Sequence, residues 1–320
     1  MEKELYDALQ VRFLKLRFRL VFLEDSHVPE DKVSAIRGGM GEMLLQMNCI
    51  RDRQCESCDF EAECIVQKTM YSKFEKTPAF VTTGGSIGYV LECGDRREYI
   101  RKGGTLQFSL LLFGKTAVYS HQFVRAFLEM GRRTGLGGGH ARFEVAGIYD
   151  TAGQPVLRDG TVNMGKHSVQ ALYDYLAARK FPAGVNTRGM EMVFTTPLSL
   201  KYRNEFQQEF HLGIILNAAA RRIYMLNCFE GIESGLYDRY NGREETLPAF
   251  LAQEHWLARV SRYSARKGTK MILRGLRGRA LLPELPEELL QILLVGELIH
   301  IGKNTSFGFG KYFIRSGIAE

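Results

Sequence analysis

The chain has 320 residues, 45% of them apolar and 25% charged, and a formal net charge of +7. This length favours two domains, and the apolar content supplies a sizeable core, which excludes a disordered chain. The basic balance points to a polyanionic partner, nucleic acid or an acidic membrane surface, while no run approaches the ~18 apolar residues of a membrane span. The opening Met1-Glu2-Lys3-Glu4-Leu5-Tyr6-Asp7 lacks the apolar stretch of a secretory signal. A cytoplasmic location is therefore expected, and the six cysteines are read as thiols or metal ligands before disulfides.

In chain order, residues 11–24 alternate between Phe13, Lys15, Arg17 and Arg19 on one side and Leu14, Leu16, Phe18 and Leu20 on the other, a half-buried strand. A turn at 25–29 leads to a helix through about Asn48, with Val33, Ile36, Met40, Met43, Leu44 and Met47 on one stripe. Two strand-like runs follow, around 88–91 and 106–113, then a helix over 119–131, the loop Gly135-Leu136-Gly137-Gly138-Gly139, and a strand from Ala141 to Tyr149. Residues 150–190 read as an appendage with a short helix near His167–Ala178. The same order then returns: a strand over 191–202, a helix over 206–226, a hairpin of 256–264 with 269–282, a helix over 286–298, a second glycine loop, and a strand over 307–314. Two copies of β-α-β-β-α-β predict an α+β chain of two tandem ferredoxin-like domains. Residues 1–190 form the first, with a Cys-rich insertion at about 49–76, and residues 191–320 the second.

The second glycine loop holds Gly302, Lys303, Asn304, Thr305, Ser306, Gly308 and Gly310. Its spacing, G-x5-G-x-G, fits neither the dinucleotide fingerprint nor the P-loop. A glycine loop with lysine and small polar residues suits backbone N–H contacts to a phosphate chain. The hairpin carries Arg259, Arg262, Arg266, Lys267, Lys270, Arg274, Arg277 and Arg279 with no acid between them, so a polyanion is its natural neutraliser. Cys49, Cys55, Cys58 and Cys64 give C-x5-C-x2-C-x5-C, a density that suits a structural zinc site; an iron–sulfur cluster uses the same ligand set. Among seven histidines, His140 directly follows the first glycine loop and is placed to face a phosphate. His167 and His300 are weaker candidates, and His211, among apolar residues, is expected in the core.

The runs Thr195-Thr196-Pro197-Leu198-Ser199-Leu200, Arg221-Arg222-Ile223, Ser261-Arg262-Tyr263-Ser264-Ala265-Arg266, Gly275-Leu276-Arg277-Gly278 and Gly302–Gly310 come in a specific order. With them the chain resembles the pre-crRNA processing endoribonucleases of CRISPR systems, within the repeat-associated mysterious protein superfamily. In the first half the resemblance rests on Arg37-Gly38-Gly39 and Gly135–Gly139. The family's terminal motif has the form G-h-G-x5-G-h-G, and His300 stands here where its first glycine would be. The resemblance implies CRISPR repeat RNA as partner, with other CRISPR effector subunits, and no cofactor for catalysis. It implies metal-independent cleavage in which a ribose 2′-OH attacks the adjacent phosphate, leaving a 2′,3′-cyclic phosphate and a 5′-OH. Relatives place a catalytic histidine in or near the first helix; His27, in the turn before that helix, is the matching candidate beside His140. The alternative is a non-catalytic RNA-binding subunit of the same superfamily.

Overall fold

The computed structural model describes residues 3–316 except 52, 54, 72–73, 82–85, 159, 164–166, 180, 182–183 and 265–268. A short helix, α1 (Lys3–Ala8), precedes β1 (Arg12–Phe22), where period-two alternation is nearly complete. Leu14, Leu16, Phe18, Leu20 and Phe22 are buried, whereas Arg17 and Arg19 face solvent. Then come β2 (Ser26–His27), α2 (Lys32–Asn48), α3 (Ile65–Met70), β3 (Tyr89–Glu92), β4 (Tyr99–Ile100), β5 (Thr105–Phe113), α4 (Ser120–Arg133) and β6 (Phe143–Tyr149). β1 lies between β5 and β6, antiparallel to both, and β3 flanks β5. This is the strand order of a ferredoxin-like βαββαβ unit. Phe18 stacks on Phe108 at 4.6 Å and meets Phe127 of α4 at 4.8 Å, which joins the sheet to its helices. The edge grows by β7 (Pro155–Arg158) and β8 (Thr161–Val162), and β9 (Gln170–Ala171) follows.

The second set comprises α5 (Leu172–Ala178), β10 (Glu191–Leu198), β11 (Lys201–Tyr202), β12 (Glu205–Phe206), α6 (Leu212–Glu230), α7 (Leu236–Tyr240), β13 (Ala252–Ser264), β14 (Thr269–Leu281), α8 (Glu287–Ile299) and β15 (Tyr312–Arg315). Its sheet order, β13-β14-β10-β15, repeats that of the first. The chain divides into two compact units. One is Arg12–Gln170 with Arg262–Met271; the other is Met1–Val11 with Ala171–Ser261 and Ile272–Glu320.

Three elements differ from expectation. The helix expected from residue 206 begins at Leu212, because Arg203 (φ 48°) and Asn204 (φ 66°) turn the chain into the small β11–β12 hairpin. Two successive left-handed residues make the turn that matches strand twist, and the helix then runs to a left-handed Gly231. The last strand begins at Tyr312 rather than 307, because Gly308 (φ 79°) and Gly310 (φ 74°) break the extended run that the alternating phenylalanines suggest. The appendage helix starts at Leu172, later than expected.

Candidate active corner and nucleic-acid interface

Two distant segments meet in the N-terminal unit. β2 pairs with β4, which sets His27 opposite Tyr99 with ring centroids 5.2 Å apart. The Tyr99 hydroxyl donates to Asp25 Oδ2 at 2.8 Å and the Lys102 N–H to Oδ1 at 2.7 Å. These bonds, the backbone one foremost, hold the Asp25 carboxyl below the usual carboxylate range, and Asp25 pushes the Tyr99 hydroxyl up. The Gly135–Gly139 loop lies against this turn: a Cβ on Gly139 would come 3.3 Å from the His27 carbonyl oxygen, and one on Gly137 would come 3.3 Å from Pro29 Cδ. The bridge between Leu136 and Ala141 pins the loop.

His140 leaves the loop in the left-handed region (φ 51°), with Nδ1 2.9 Å from the Thr134 carbonyl oxygen. A carbonyl only accepts, so Nδ1 carries the proton and Nε2 of the neutral ring keeps its lone pair. The main chain thus brings both candidate histidines, His27 and His140, to one exposed corner. Sequence reading missed Asp25 and Tyr99, which fix the His27 strand; Tyr99 lies in a two-residue strand too short to give a periodic signal.

The other histidines play different parts. Burial lowers the pKa of His167, and its neighbour Asp150 accepts the Gln154 and Ser168 N–H groups. His211 is not in the core: it caps α6 at the surface, its Nε2 3.3 Å from Glu209. His300 is fully buried and bonds through Nδ1 to the Phe309 carbonyl at 2.9 Å, so it faces the inside of the terminal loop.

That loop is packed against β10 and its continuation. Lys303 N–H donates to Ser199 O at 2.8 Å and Gly310 N–H to Pro197 O at 2.9 Å. A Cβ on Gly310 would strike the Ile301 carbonyl at 1.9 Å and one on Gly302 the Ser199 carbonyl at 2.6 Å, so these glycines serve close backbone packing. Gly308 and Gly310 are buried, and the Gly308 N–H donates to the Thr305 carbonyl at 2.8 Å. Outward, Lys303 is exposed, Ser306 is half-buried, and the N–H groups of Asn304, Thr305 and Ser306 have no protein acceptor among the described residues. Three adjacent N–H groups beside a lysine suit an anion.

β14 of the hairpin pairs with β10 only from Leu276 to Leu281, so Thr269–Arg274 runs past the end of β10. Arg259, Lys270 and Arg274 are exposed. Arg262 is half-buried and donates to Met271 Sδ at 3.4 Å, and burial lowers its guanidinium pKa. Arg277 keeps a buried Nε without an acceptor among the described residues. Arg279, by contrast, is bound by Glu254 at 3.0 Å and Glu191 at 3.5 Å, carboxylates that strand pairing brings to it from elsewhere in the sequence. Arg266 and Lys267 lie outside the described residues.

Three of the four clustered cysteines lie at the ends of elements. Cys49 follows α2 and directs Sγ to the Arg51 carbonyl at 2.6 Å, Cys55 opens a 3-10 turn, and Cys64 precedes α3. Among the described residues no group of three or more Cys, His, Asp or Glu is gathered as a metal ligand set.

Two βαββαβ units, a basic hairpin and a histidine pair beside a glycine loop define a tandem ferredoxin-like protein with cationic surface elements. Residues 9–171, just over half of the chain, match the family model AF_1859_N, an N-terminal domain, and residues 192–312 match CRISPR-associated endoribonuclease Cas6. An uncharacterized protein of Archaeoglobus fulgidus is 24% identical over 312 residues, covering 97% of this chain and 100% of that protein. Thermus thermophilus Cas6 superposes with a TM-score of 0.53 at 13% identity, covering 95% of this chain and 99% of that one. A partial Cas6-RT-Cas1–Cas2 complex superposes with a TM-score of 0.56 at 11% identity, covering 97% of this chain, which spans 47% of that longer chain. These likenesses show the fold. The chain belongs to the AF_1859_N family through residues 9–171, and its C-terminal part carries the match to the Cas6 endoribonuclease model.

Proposed function

We propose that this protein is a CRISPR repeat-RNA endoribonuclease that works by 2′-OH attack without a metal ion. The observation that carries the reading is the meeting of His27, Gly139 and His140 at one exposed corner. Nε2 of His140 takes the 2′-OH proton as the oxygen attacks the adjacent phosphorus, and protonated His27 gives a proton to the departing 5′-oxygen. The products are a 2′,3′-cyclic phosphate and a 5′-OH, and proton and charge balance without a co-reactant. Arg259, Lys270, Arg274 and Lys303, together with the three N–H groups of the terminal loop, offer phosphate contacts. The hairpin is the element offered to the base of an RNA stem, where the end of an A-form helix opens. Known Cas6 structures include a product complex and an assembly with Cas1 and Cas2, which supports retention of cut RNA and contact with other Cas proteins here.

Cleavage of a labelled CRISPR repeat RNA in excess EDTA, beside a copy with one 2′-deoxy sugar at the cut site, tests the reading. Cutting of the first alone is expected, and His27→Ala and His140→Ala should each slow it by about 10²- to 10⁴-fold while repeat affinity is kept. Cutting of the deoxy copy, or unchanged rates in both variants, removes this mechanism. A non-catalytic RNA-binding subunit is the second reading. It is favoured by one observation: neither histidine of the corner is oriented by a carboxylate among the described residues. Tight binding without cutting would decide for it.

A further inference from the structure

The N-terminal sheet leaves half of one face open. The even positions of β1 point into the core with Ile36, Met40, Phe123 and Phe127 of α2 and α4. The opposite face is closed at one end, where Phe13, Leu111 and Phe113 are buried, and opens from Arg17 onward. Strand register lays two rows across it: Glu92, Ser109, Arg17 and Tyr149, then Gln107, Arg19 and Gly147. Arg17, Arg19 and Gln107 are exposed, and Tyr149 is 39% exposed.

The tyrosine ring lies down along its own strand. A Cβ on Gly147 would come 3.2 Å from Tyr149 Cε2 and 3.3 Å from its hydroxyl, and Gly147 is itself buried. The absent side chain at Gly147 therefore leaves the space that the ring occupies, beside Arg19 and across from Arg17. Lys15, on the same side, is neutralised by Glu92 at 2.7 Å. Neither Arg17 nor Arg19 pairs with a carboxylate among the described residues; Glu144 stands in the next row, opposite Val21. Tyr149 is the one large apolar side chain exposed at these positions, too little for the apolar centre of a protein interface.

We propose that this open half-face is a platform for unpaired RNA nucleotides. A base stacks on the Tyr149 ring, Arg17 and Arg19 take the flanking phosphates, and Ser109 and Gln107 reach base edges. A flat ring on a four-stranded sheet holds bases irrespective of sequence, and two unneutralised guanidinium groups beside it supply the backbone attraction. None of these residues belongs to the His27–His140 corner or to the basic hairpin, so the platform is a second RNA contact. It rests on the RNA-binding reading above.

The test uses the full chain and fluorescence anisotropy with two probes, an unstructured ten-nucleotide uridine RNA and the CRISPR repeat RNA. Tyr149→Ala should weaken the uridine oligomer about tenfold, with Tyr149→Phe close to the parent. Joint replacement Arg17→Ala and Arg19→Ala should lower the slope of log affinity against log salt by about 1.4, or about 0.7 per lost contact. Irradiation of a 5-iodouridine oligomer should leave an adduct on Tyr149. Unchanged affinity and slope in every variant, while the parent binds repeat RNA, overturn the platform and leave the proposed function standing. A parent that binds neither RNA overturns both. Should Tyr149→Ala melt early, the cross-link decides, and absence of a Tyr149 adduct overturns the platform.

Discussion

His300 holds a backbone conformation made for another residue. Its φ of 56° and ψ of 148° fall in a region populated almost wholly by glycine, at a cost of about 1–3 kcal/mol for other residues. The chain thus holds a glycine-type backbone geometry with an imidazole in it. The ring is fully buried and its bond to the Phe309 carbonyl ties the end of α8 to the loop, which offsets the strain. His300→Ala loses the ring and its bond while the strain remains; His300→Gly loses them and relieves it. Urea unfolding should therefore rank the parent above Gly and Gly above Ala, with the two variants separated by about 1 kcal/mol or more. A glycine variant no more stable than the alanine one would contradict the strain account.

Among the elements, α8 is the most deeply set, with every residue from Ile292 to Ile299 buried, including a carboxylate. Glu297 accepts from the Arg179 guanidinium at 3.0 Å, the Tyr175 hydroxyl at 2.9 Å and the Ile314 N–H at 2.5 Å, tying α8 to α5 and β15. Burial nevertheless wins over these bonds and pushes its carboxyl above the ordinary value. A raised folded pKa means that the native state holds its proton longer than the unfolded chain does. The resulting stability is fully present below the unfolded pKa and is lost as pH rises through the folded one. Glu297→Ala, which strands the Arg179 guanidinium, should cost about 3 kcal/mol. Glu297→Gln cannot ionise, so its deficit relative to the parent should shrink as pH rises from 4 through the folded pKa; a deficit that widens would reverse the sign assigned here.

The helix itself was legible, because a long apolar run bounded by Pro286 and a glycine loop has few other readings. So were β1 and α2, whose periods are long and regular. The turn at Arg203 and Asn204 was not, since asparagine tolerates a left-handed conformation but arginine does not announce one. Nor was the break at Gly308, where alternating phenylalanines imitate a strand. The meeting of His27 with His140 depends on a pairing between segments far apart in the chain, which local pattern cannot encode.

For the molecule as a whole, a net charge of +7 matters only through cations that the fold leaves without carboxylates. The hairpin separates the two kinds. By sequence Arg279 is one more member of an unbroken basic run, yet in the fold Glu254 and Glu191 both grip it, and Glu191 also holds Arg315. Arg259 and Arg274 are exposed and have no such carboxylates among the described residues. Counterion release depends on phosphates neutralised, at roughly 0.7 to 0.9 of slope per contact. Joint replacement of Arg259 and Arg274 by alanine should therefore weaken repeat-RNA binding and flatten its salt dependence by about 1.4 to 1.8. Arg279→Ala should leave the slope where it was, because that guanidinium is already neutralised within the protein. Affinities measured from 50 to 300 mM salt distinguish the cases. If Arg279→Ala flattened the slope as much as either exposed arginine alone, the hairpin would be acting by bulk charge, and the division of its cations drawn from the fold would be wrong.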